Sequence, residues 1–199
     1  MNSRRLILAI AVAVLAIVAG VFFNGRRPAP PVGPLAGSGV GGPFALVDQD
    51  GRAVTDRSYA NRYRLMYFGY TFCPDACPID VQKIAQGIKL FAAKNPGRAA
   101  KVVTMFITVD PERDTPPAVK TFVRAFSPTM VGLSGTPAQV EAARKVFRIY
   151  ARKAGEGRDY LVDHSATIYL MDPDNRPISF LDHGATPQAI AAELDTYVR

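Results

Sequence analysis

The segment from Arg64 to Lys94 constrains the fold more than any other part of this 199-residue chain. The apolar-aromatic run from Arg64 to Gly69 predicts a short buried strand, and Pro78 to Lys94 has apolar residues at the spacing of one helix face. The two cysteines of the chain, Cys73 and Cys77, lie between this strand and this helix. The segment therefore predicts an α/β domain that places two thiols at the positive end of a helix dipole.

Further elements follow the same strand and helix alternation. They are a hairpin over 44–54, a strand over 101–109, helices over 115–126 and 136–150, a strand-turn-strand over 166–181 and a last helix from 186. This order is that of a thioredoxin-like α/β fold, a mixed sheet flanked by helices. The N-terminal β-hairpin and a segment around 127–150 are additions to it.

The N-terminal region predicts a membrane anchor and a linker. Leu6 to Phe23 is an unbroken run of 18 apolar or small residues; as a helix it would be roughly 27 Å long, close to the ~30 Å hydrocarbon core of a bilayer. We expect residues 1–24 to form one uncleaved transmembrane helix, with a cleaved signal peptide as the alternative. Residues 25–42 are rich in Pro and Gly and predict a flexible linker, and 43–199 the folded domain.

The charge distribution bears on location and on partners. Arginines flank the apolar run on both sides, and the short N-terminal flank favours a domain on the far side of the membrane. We expect the inner (cytoplasmic) membrane with the domain on the periplasmic side; the mitochondrial inner membrane, facing the intermembrane space, is the less favoured alternative. The net charge is +7, but no basic block is interleaved with aromatics, so no nucleic-acid partner is expected.

The cysteine spacing favours metal binding over a redox disulfide. Three residues separate Cys73 from Cys77, whereas dithiol redox sites normally have two. Helical residues four apart have Cβ atoms about 5–6 Å apart, and a disulfide needs about 3.8 Å. Two thiolates favour soft ions such as Cu(I), or Zn. Pro74 and Pro78 allow an irregular turn, so a disulfide stays open as the alternative.

His164 is the predicted third ligand. It directly precedes the predicted strand at 166–171, and in thioredoxin-like folds the loop before that strand faces the reactive cysteines. His183, the other histidine, is expected to be an exposed residue and not a ligand. Tyr67, Tyr70 and Phe72 are expected to pack around the site and exclude water. The carboxylates of 110–114 are interpreted as a supporting or partner surface, or as a helix-capping loop.

Five segments resemble the Sco/SenC family of copper-binding assembly factors of cytochrome c oxidase. They are Gly-Gly-Pro-Phe at 41–44, Tyr-Phe-Gly-Tyr-Thr-Phe-Cys-Pro-Asp-Ala-Cys-Pro at 67–78, Phe-Ile-Thr-Val-Asp-Pro-Glu-Arg-Asp-Thr at 106–115, Val-Gly-Leu-Ser-Gly-Thr at 131–136 and Asp-His-Ser at 163–165. The resemblance covers nearly all of 41–199. It implies that Cys73, Cys77 and His164 bind one copper ion per chain, as Cu(I) or Cu(II). Ala76 departs from the bulkier aliphatic residue usual in the family, which we expect to affect packing only.

The same resemblance implies a metallochaperone that delivers copper to the binuclear site of cytochrome c oxidase subunit II, with other copper chaperones as further partners. The alternative is an enzyme that uses Cys73 and Cys77. It would be a membrane-tethered thiol-disulfide oxidoreductase that reduces the cysteines of subunit II, or a thiol peroxidase. A copper sensor would share the site. The three-residue spacer and His164 favour a binding protein over an enzyme.

Overall fold

The computed structural model describes residues 3–24 and 31–199. The described residues divide into two compact units, one that ends at Pro31 and one over Val32–Arg199. The first contains helix α1, Ser3–Asn24. Across the described ranges, no helix combines the length and the apolar character that a membrane span requires. The anchor over 1–24 stays a prediction, and residues 1–2 and 25–30 of the predicted anchor and linker lie outside the described ones.

The second unit is built on a seven-stranded mixed sheet with the strand order β2-β1-β5-β4-β3-β8-β9. Its strands are β1 Ala45–Asp48, β2 Ala53–Thr55, β3 Tyr63–Gly69, β4 Val102–Thr108, β5 Val131–Ser134, β8 Ile168–Met171 and β9 Pro177–Leu181. Strands β6 Ala151–Ala154 and β7 Leu161–His164 form a separate two-stranded sheet. The helices are α2 Ala76–Lys94, α3 Pro96–Ala99, α4 Pro116–Phe126, α5 Pro137–Val146 and α6 Pro187–Tyr197.

The centre of the large sheet is parallel and fully buried. Strands β3 and β4 pair in parallel along their whole length, from Tyr63 opposite Val102 to Gly69 opposite Thr108, and every residue of both strands is buried. Strand β5 continues the parallel part, whereas β8, β9, β1 and β2 are antiparallel to their neighbours. The thioredoxin-like mixed sheet with flanking helices and the added N-terminal hairpin are confirmed.

The segment over 127–150 differs from its prediction. Residues 131–134 form β5, the third parallel strand, and helix α5 ends at Val146, four residues earlier than predicted. Gly132 lies so close to α4 that a Cβ there would come within 2.3 Å of Val119 Cγ1. The strand has only four residues, Val-Gly-Leu-Ser, and its internal glycine weakens the strand signal of the two apolar residues. The helix stops before Arg148, whose φ of 54° lies outside the helical region.

The small hairpin β6–β7 is the largest departure from the predicted arrangement. His164 was expected in a loop, but it is the last residue of β7 and pairs with Ala151 of β6. The exposed residues of β6 and β7 outnumber the buried ones, so they lack the strict alternation of a strand packed on a core. The third predicted ligand therefore lies on a hairpin outside the main sheet.

Residues 32–42 of the predicted linker are part of the second unit and pack within it. The Leu35 amide donates to the Ile178 carbonyl (3.0 Å), and the Gly41 amide donates to the Val146 carbonyl (2.7 Å). A Cβ at Gly33 would lie 2.1 Å from the Ile178 oxygen, so this contact needs glycine. The compact unit thus begins at Val32 and includes residues of the predicted linker, and the bounds 25–42 and 43–199 stay predictions.

Candidate metal centre

The two cysteines lie where β3 passes into α2. Helix α2 begins at Ala76, so Cys77 lies in its first turn and is fully buried, whereas Cys73 lies in the preceding loop and is half-buried. Both are free thiols. A Cβ at Gly69, the last residue of β3, would be 3.0 Å from Cys77 Sγ. Glycine therefore lets the strand backbone approach the sulfur.

His164 is placed against Cys77 by the small hairpin. Its Nε2 lies 3.4 Å from Cys77 Sγ, and its Nδ1 lies 3.1 Å from the Ser165 carbonyl oxygen. Because a carbonyl only accepts, Nδ1 carries the hydrogen, and in the neutral ring Nε2 keeps its lone pair. The Tyr70 ring meets the imidazole edge-on at 5.7 Å between centroids. The nitrogen able to bind a metal therefore faces the cysteine sulfur.

The structure thus places Cys77 next to both of the other predicted ligands, His164 and Cys73. Among the residues that it describes, however, no group of three or more His, Cys, Asp or Glu side chains is arranged as a site that could hold a metal ion. The role of Cys73, Cys77 and His164 as ligands stays a prediction.

The two thiols have opposite electrostatic environments. A hydrogen bond from the Cys77 side chain lowers the pKa of Cys73 to about 3, and hydrogen bonds from the backbone of Cys77 and Asp75 act in the same direction, whereas burial opposes them. The Cys77 amide lies 3.4 Å from Cys73 Sγ. The same sulfur–sulfur hydrogen bond, together with burial, raises the pKa of Cys77. The metal-free site therefore holds one thiolate and one thiol at neutral pH.

This asymmetry predicts how the metal-free protein reacts with alkylating agents. Cys73 should react with iodoacetamide at a rate that changes little between pH 5 and pH 8, because its pKa lies below that range at about 3. An ordinary thiol, with a pKa of about 8.5, would react several hundred-fold faster at the upper end. Peptide mapping of the alkylated wild-type protein by mass spectrometry assigns the rate to each sulfur. A Cys73 rate that rises steeply with pH would contradict the thiolate assignment.

A buried carboxylate anchors the cysteine loop, which is the segment 70–75 between β3 and α2. Sequence reasoning did not single out this carboxylate. Asp114 is fully buried and accepts hydrogen bonds from the Thr71 amide (3.0 Å), the Thr71 hydroxyl (2.6 Å) and the Thr108 hydroxyl (2.6 Å). Burial raises the pKa of Asp114, and these donors oppose that rise. Thr71 is two residues before Cys73, so Asp114 fixes the loop that presents the thiolate. Of the two interpretations offered for 110–114, support of the site is the one that this geometry favours.

The aromatic residues divide into two groups. Tyr67 and Tyr70 are buried beside the cysteines, as expected for side chains that exclude water, and burial raises the pKa of Tyr67. Phe72 is 56% exposed, so the expectation that it shields the site is wrong. The Phe72 ring lies at the surface, whereas the preceding residue, Thr71, bonds to the buried Asp114.

His183 lies about half exposed, but it is not free of contacts. Its Nδ1 is 2.8 Å from Asp80 Oδ2, and the Tyr67 hydroxyl donates to the same oxygen at 3.1 Å. Asp80 is 1% exposed on helix α2, three residues after Cys77. The sequence did contain a signal for Asp80. It lies among the apolar residues of one face of this helix, and a carboxylate in such a place needs a buried partner.

The family model of SCO1/SenC matches residues 33–199. Protein SenC of Rhodobacter capsulatus is 42% identical over 165 residues, covering 82% of this chain and 72% of SenC. The chain spans only 44% and 53% of the mitochondrial SCO1 homologues of Arabidopsis thaliana (homolog 1) and Homo sapiens.

Solved structures agree with the sequence match. ScoI of Bradyrhizobium japonicum with copper bound superposes with a TM-score of 0.72 at 44% identity, covering 80% of this chain and 99% of that one. ScoI of Arabidopsis thaliana with copper bound gives 0.74 at 36% identity, covering 78% and 95%. BsSco, described as a member of the Sco family of cytochrome c oxidase assembly proteins with a disulfide switch, gives 0.58 at 25% identity, covering 78% and 91%. The match over 33–199, within the same fold, shows that this chain belongs to the SCO1/SenC family.

Proposed function

We propose that this protein binds one copper ion with Cys73, Cys77 and His164 and carries it to cytochrome c oxidase during assembly. The observation that carries the proposal is the approach of His164 Nε2 to Cys77 Sγ, at 3.4 Å, in a cluster that already holds the Cys73 thiolate. Two sulfurs and one imidazole are the donors that copper prefers. Family members with copper bound support the choice of copper over zinc.

Each donor has a separate task in loading. Cys73 is half-buried and already a thiolate, so it offers the first bond to an incoming ion. Cys77 is buried and keeps its proton, which it must release when its sulfur binds. His164 then exchanges its contact with the Cys77 sulfur for the metal, and the bond from Nδ1 to the Ser165 carbonyl keeps the ring in the required tautomer.

Delivery requires that a partner can reach the ion. Three protein ligands leave a position that a thiolate of the acceptor can take, so copper passes through an intermediate with shared ligands. We propose the binuclear copper site of oxidase subunit II as the acceptor, and other copper chaperones as donors. The membership of BsSco in a family of oxidase assembly proteins supports the oxidase as destination.

A thiol-disulfide oxidoreductase is the second candidate, and one observation favours it. A half-exposed thiolate at Cys73 next to a buried thiol at Cys77 is the arrangement of an attacking and a resolving cysteine. Such an enzyme would attack a disulfide of the oxidase subunit with Cys73 and release the reduced subunit when Cys77 closes the protein disulfide. The disulfide switch described for BsSco supports this reading as well.

We further propose that residues 1–24 tether the protein to the inner membrane, with the domain on the periplasmic side. The apolar run of the N-terminal segment and its arginine flanks support the tether. A copper site near the membrane surface would be close to a membrane-bound oxidase.

The test is copper loading of the full-length, reduced protein. We expect one copper per chain, measured as Cu(I) against a chelator of known affinity and as Cu(II) by the thiolate-to-copper absorption band. Cys73→Ser and Cys77→Ser should each abolish stable loading. In a strain that lacks the protein, wild type should restore oxidase activity and both variants should fail. A wild-type protein that binds no copper would contradict the proposal and leave the oxidoreductase.

A further inference from the structure

The hairpin that carries His164 needs side-chain contacts to hold its position. Over the described residues, neither β6 nor β7 pairs with the seven-stranded sheet. Near its base, Arg144 of helix α5 donates to the Ala151 carbonyl (2.8 Å). The strand ladder fixes the two strands to each other, but it does not fix the distance from His164 to the cysteine loop.

Arg113 lies between the hairpin and the cysteine loop. On the hairpin side its guanidinium stacks on the Tyr160 ring, 3.6 Å from the centroid, and its Nη1 donates to the Arg158 carbonyl at 3.2 Å. On the loop side the same group lies 4.8 Å from the Phe72 ring centroid and 5.8 Å from that of Tyr70. A planar guanidinium can contact rings on both sides in this way.

The carboxylate of Asp110 fixes Arg113 in this position. Asp110 is 4% exposed; its Oδ2 accepts from Arg113 Nε at 2.6 Å, and its Oδ1 accepts from the Tyr160 hydroxyl at 2.6 Å. One buried carboxylate therefore orients both the cation and the ring on which it stacks. The side chain of Arg113 is itself only 14% exposed.

The aromatic rings on the two sides of Arg113 belong to residues close to the predicted copper ligands. Phe72 is the residue before Cys73, and the Tyr70 ring contacts the imidazole of His164. Tyr160 directly precedes β7, the strand that ends at His164. A displacement of Arg113 would therefore change the separation of Cys73 and His164 without touching either ligand.

We propose that Arg113 is a positioning residue that clamps the histidine hairpin to the cysteine loop and so sets the geometry of the copper site. The inference rests on the proposed copper function and deepens it. It also gives the exposed Phe72 a role beside the site, because its ring forms one face of the clamp.

Lys153 offers a matched control. Its Nζ lies 3.8 Å from the Tyr160 centroid, and it pairs with the exposed Glu112 at 3.3 Å. It contacts the same ring as Arg113, but it belongs to the hairpin and is half-exposed. The Lys153→Gln change removes one cation from the Tyr160 ring, but it leaves the contacts of Arg113 with Phe72 and Tyr70 in place.

The experiment compares full-length wild type, Arg113→Gln, Arg113→Lys and Lys153→Gln. Cu(II) affinity, the thiolate-to-copper absorption band and the electron paramagnetic resonance spectrum are measured, and urea unfolding of the copper-free proteins reports stability. We expect Arg113→Gln to weaken Cu(II) binding by roughly 10-fold or more and to alter both spectra, the effect typical of a residue that orients a ligand. Arg113→Lys keeps the charge but not the planar face, so it should also lose affinity; Lys153→Gln should match wild type.

The possible outcomes separate the inference from the proposed function. Wild-type affinity and spectra in Arg113→Gln, or full rescue by Arg113→Lys, would overturn the clamp and leave copper binding intact. Failure of both Arg113 variants to fold would assign Arg113 to folding and overturn the positioning role. A wild-type protein that binds no copper would overturn the proposed function, and the clamp with it.

Discussion

The His164→Ala protein should bind Cu(II) at least roughly 100-fold more weakly than wild type, a change of about 2.8 kcal/mol. The imidazole is the one nitrogen donor of the predicted set, and its Nε2 lone pair already points at Cys77 Sγ from 3.4 Å. Imidazole suits Cu(II), whereas the two thiolates suit Cu(I). We therefore expect a smaller loss for Cu(I). Competition against a chelator, run separately for each oxidation state, measures both effects.

The control for this prediction is His183→Ala. His183 bonds to the buried carboxylate of Asp80 at 2.8 Å, and Asp80 keeps its second donor, the Tyr67 hydroxyl. We expect this variant to keep its copper affinity and to lose about 1–3 kcal/mol of unfolding free energy, because Asp80 is left with fewer partners. Equal Cu(II) affinity in wild type and His164→Ala would remove His164 from the site. A loss of affinity in His183→Ala alone would move the ligand assignment to that residue.

The sequence predicted the central part of this fold because its signals are local. Strands β3 and β4 are each seven residues long, mostly apolar and fully buried, and the helix that begins at Ala76 has an apolar face. Chain order then placed a histidine near two cysteines. The convergence of Cys73, Cys77 and His164 needed no more than the position of each residue relative to a strand or a helix.

The contacts that hold the site together could not be predicted in the same way. Asp114 bonds to Thr71, which lies 43 positions earlier, and Arg113 bonds to the carbonyl of Arg158, 45 positions later. Such pairs leave no periodicity in the sequence, because each depends on one side chain reaching across a folded loop. The hairpin that carries His164 was missed for a related reason. Its four-residue strands have one fully buried residue between them and are held by contacts of this long-range kind.

Replacement of Asp114 should have the largest effect on stability of any single change near the site. Asp114→Ala is expected to lower the free energy of unfolding by roughly 3–5 kcal/mol, because the Thr71 amide, the Thr71 hydroxyl and the Thr108 hydroxyl lose a shared acceptor in a buried place. Asp114→Asn keeps one carbonyl oxygen as acceptor, but its amide group meets donors, so an intermediate loss is expected. Urea unfolding of the metal-free proteins measures these differences.

Asp163→Ala is the matched control, because Asp163 lies next to His164 but is 54% exposed and only pairs with the exposed Arg152. It should lose less than about 1 kcal/mol. Replacement of Asp114 should also change copper binding. Thr71 is fixed by Asp114 and lies two residues before Cys73, so any Asp114→Asn protein that folds should present its thiolate less rigidly and bind copper more weakly. If Asp114→Ala proved as stable as Asp163→Ala, the buried carboxylate would not be the anchor of the cysteine loop. The position of Cys73 would then depend on its backbone bond to Tyr70 and on the first turn of helix α2.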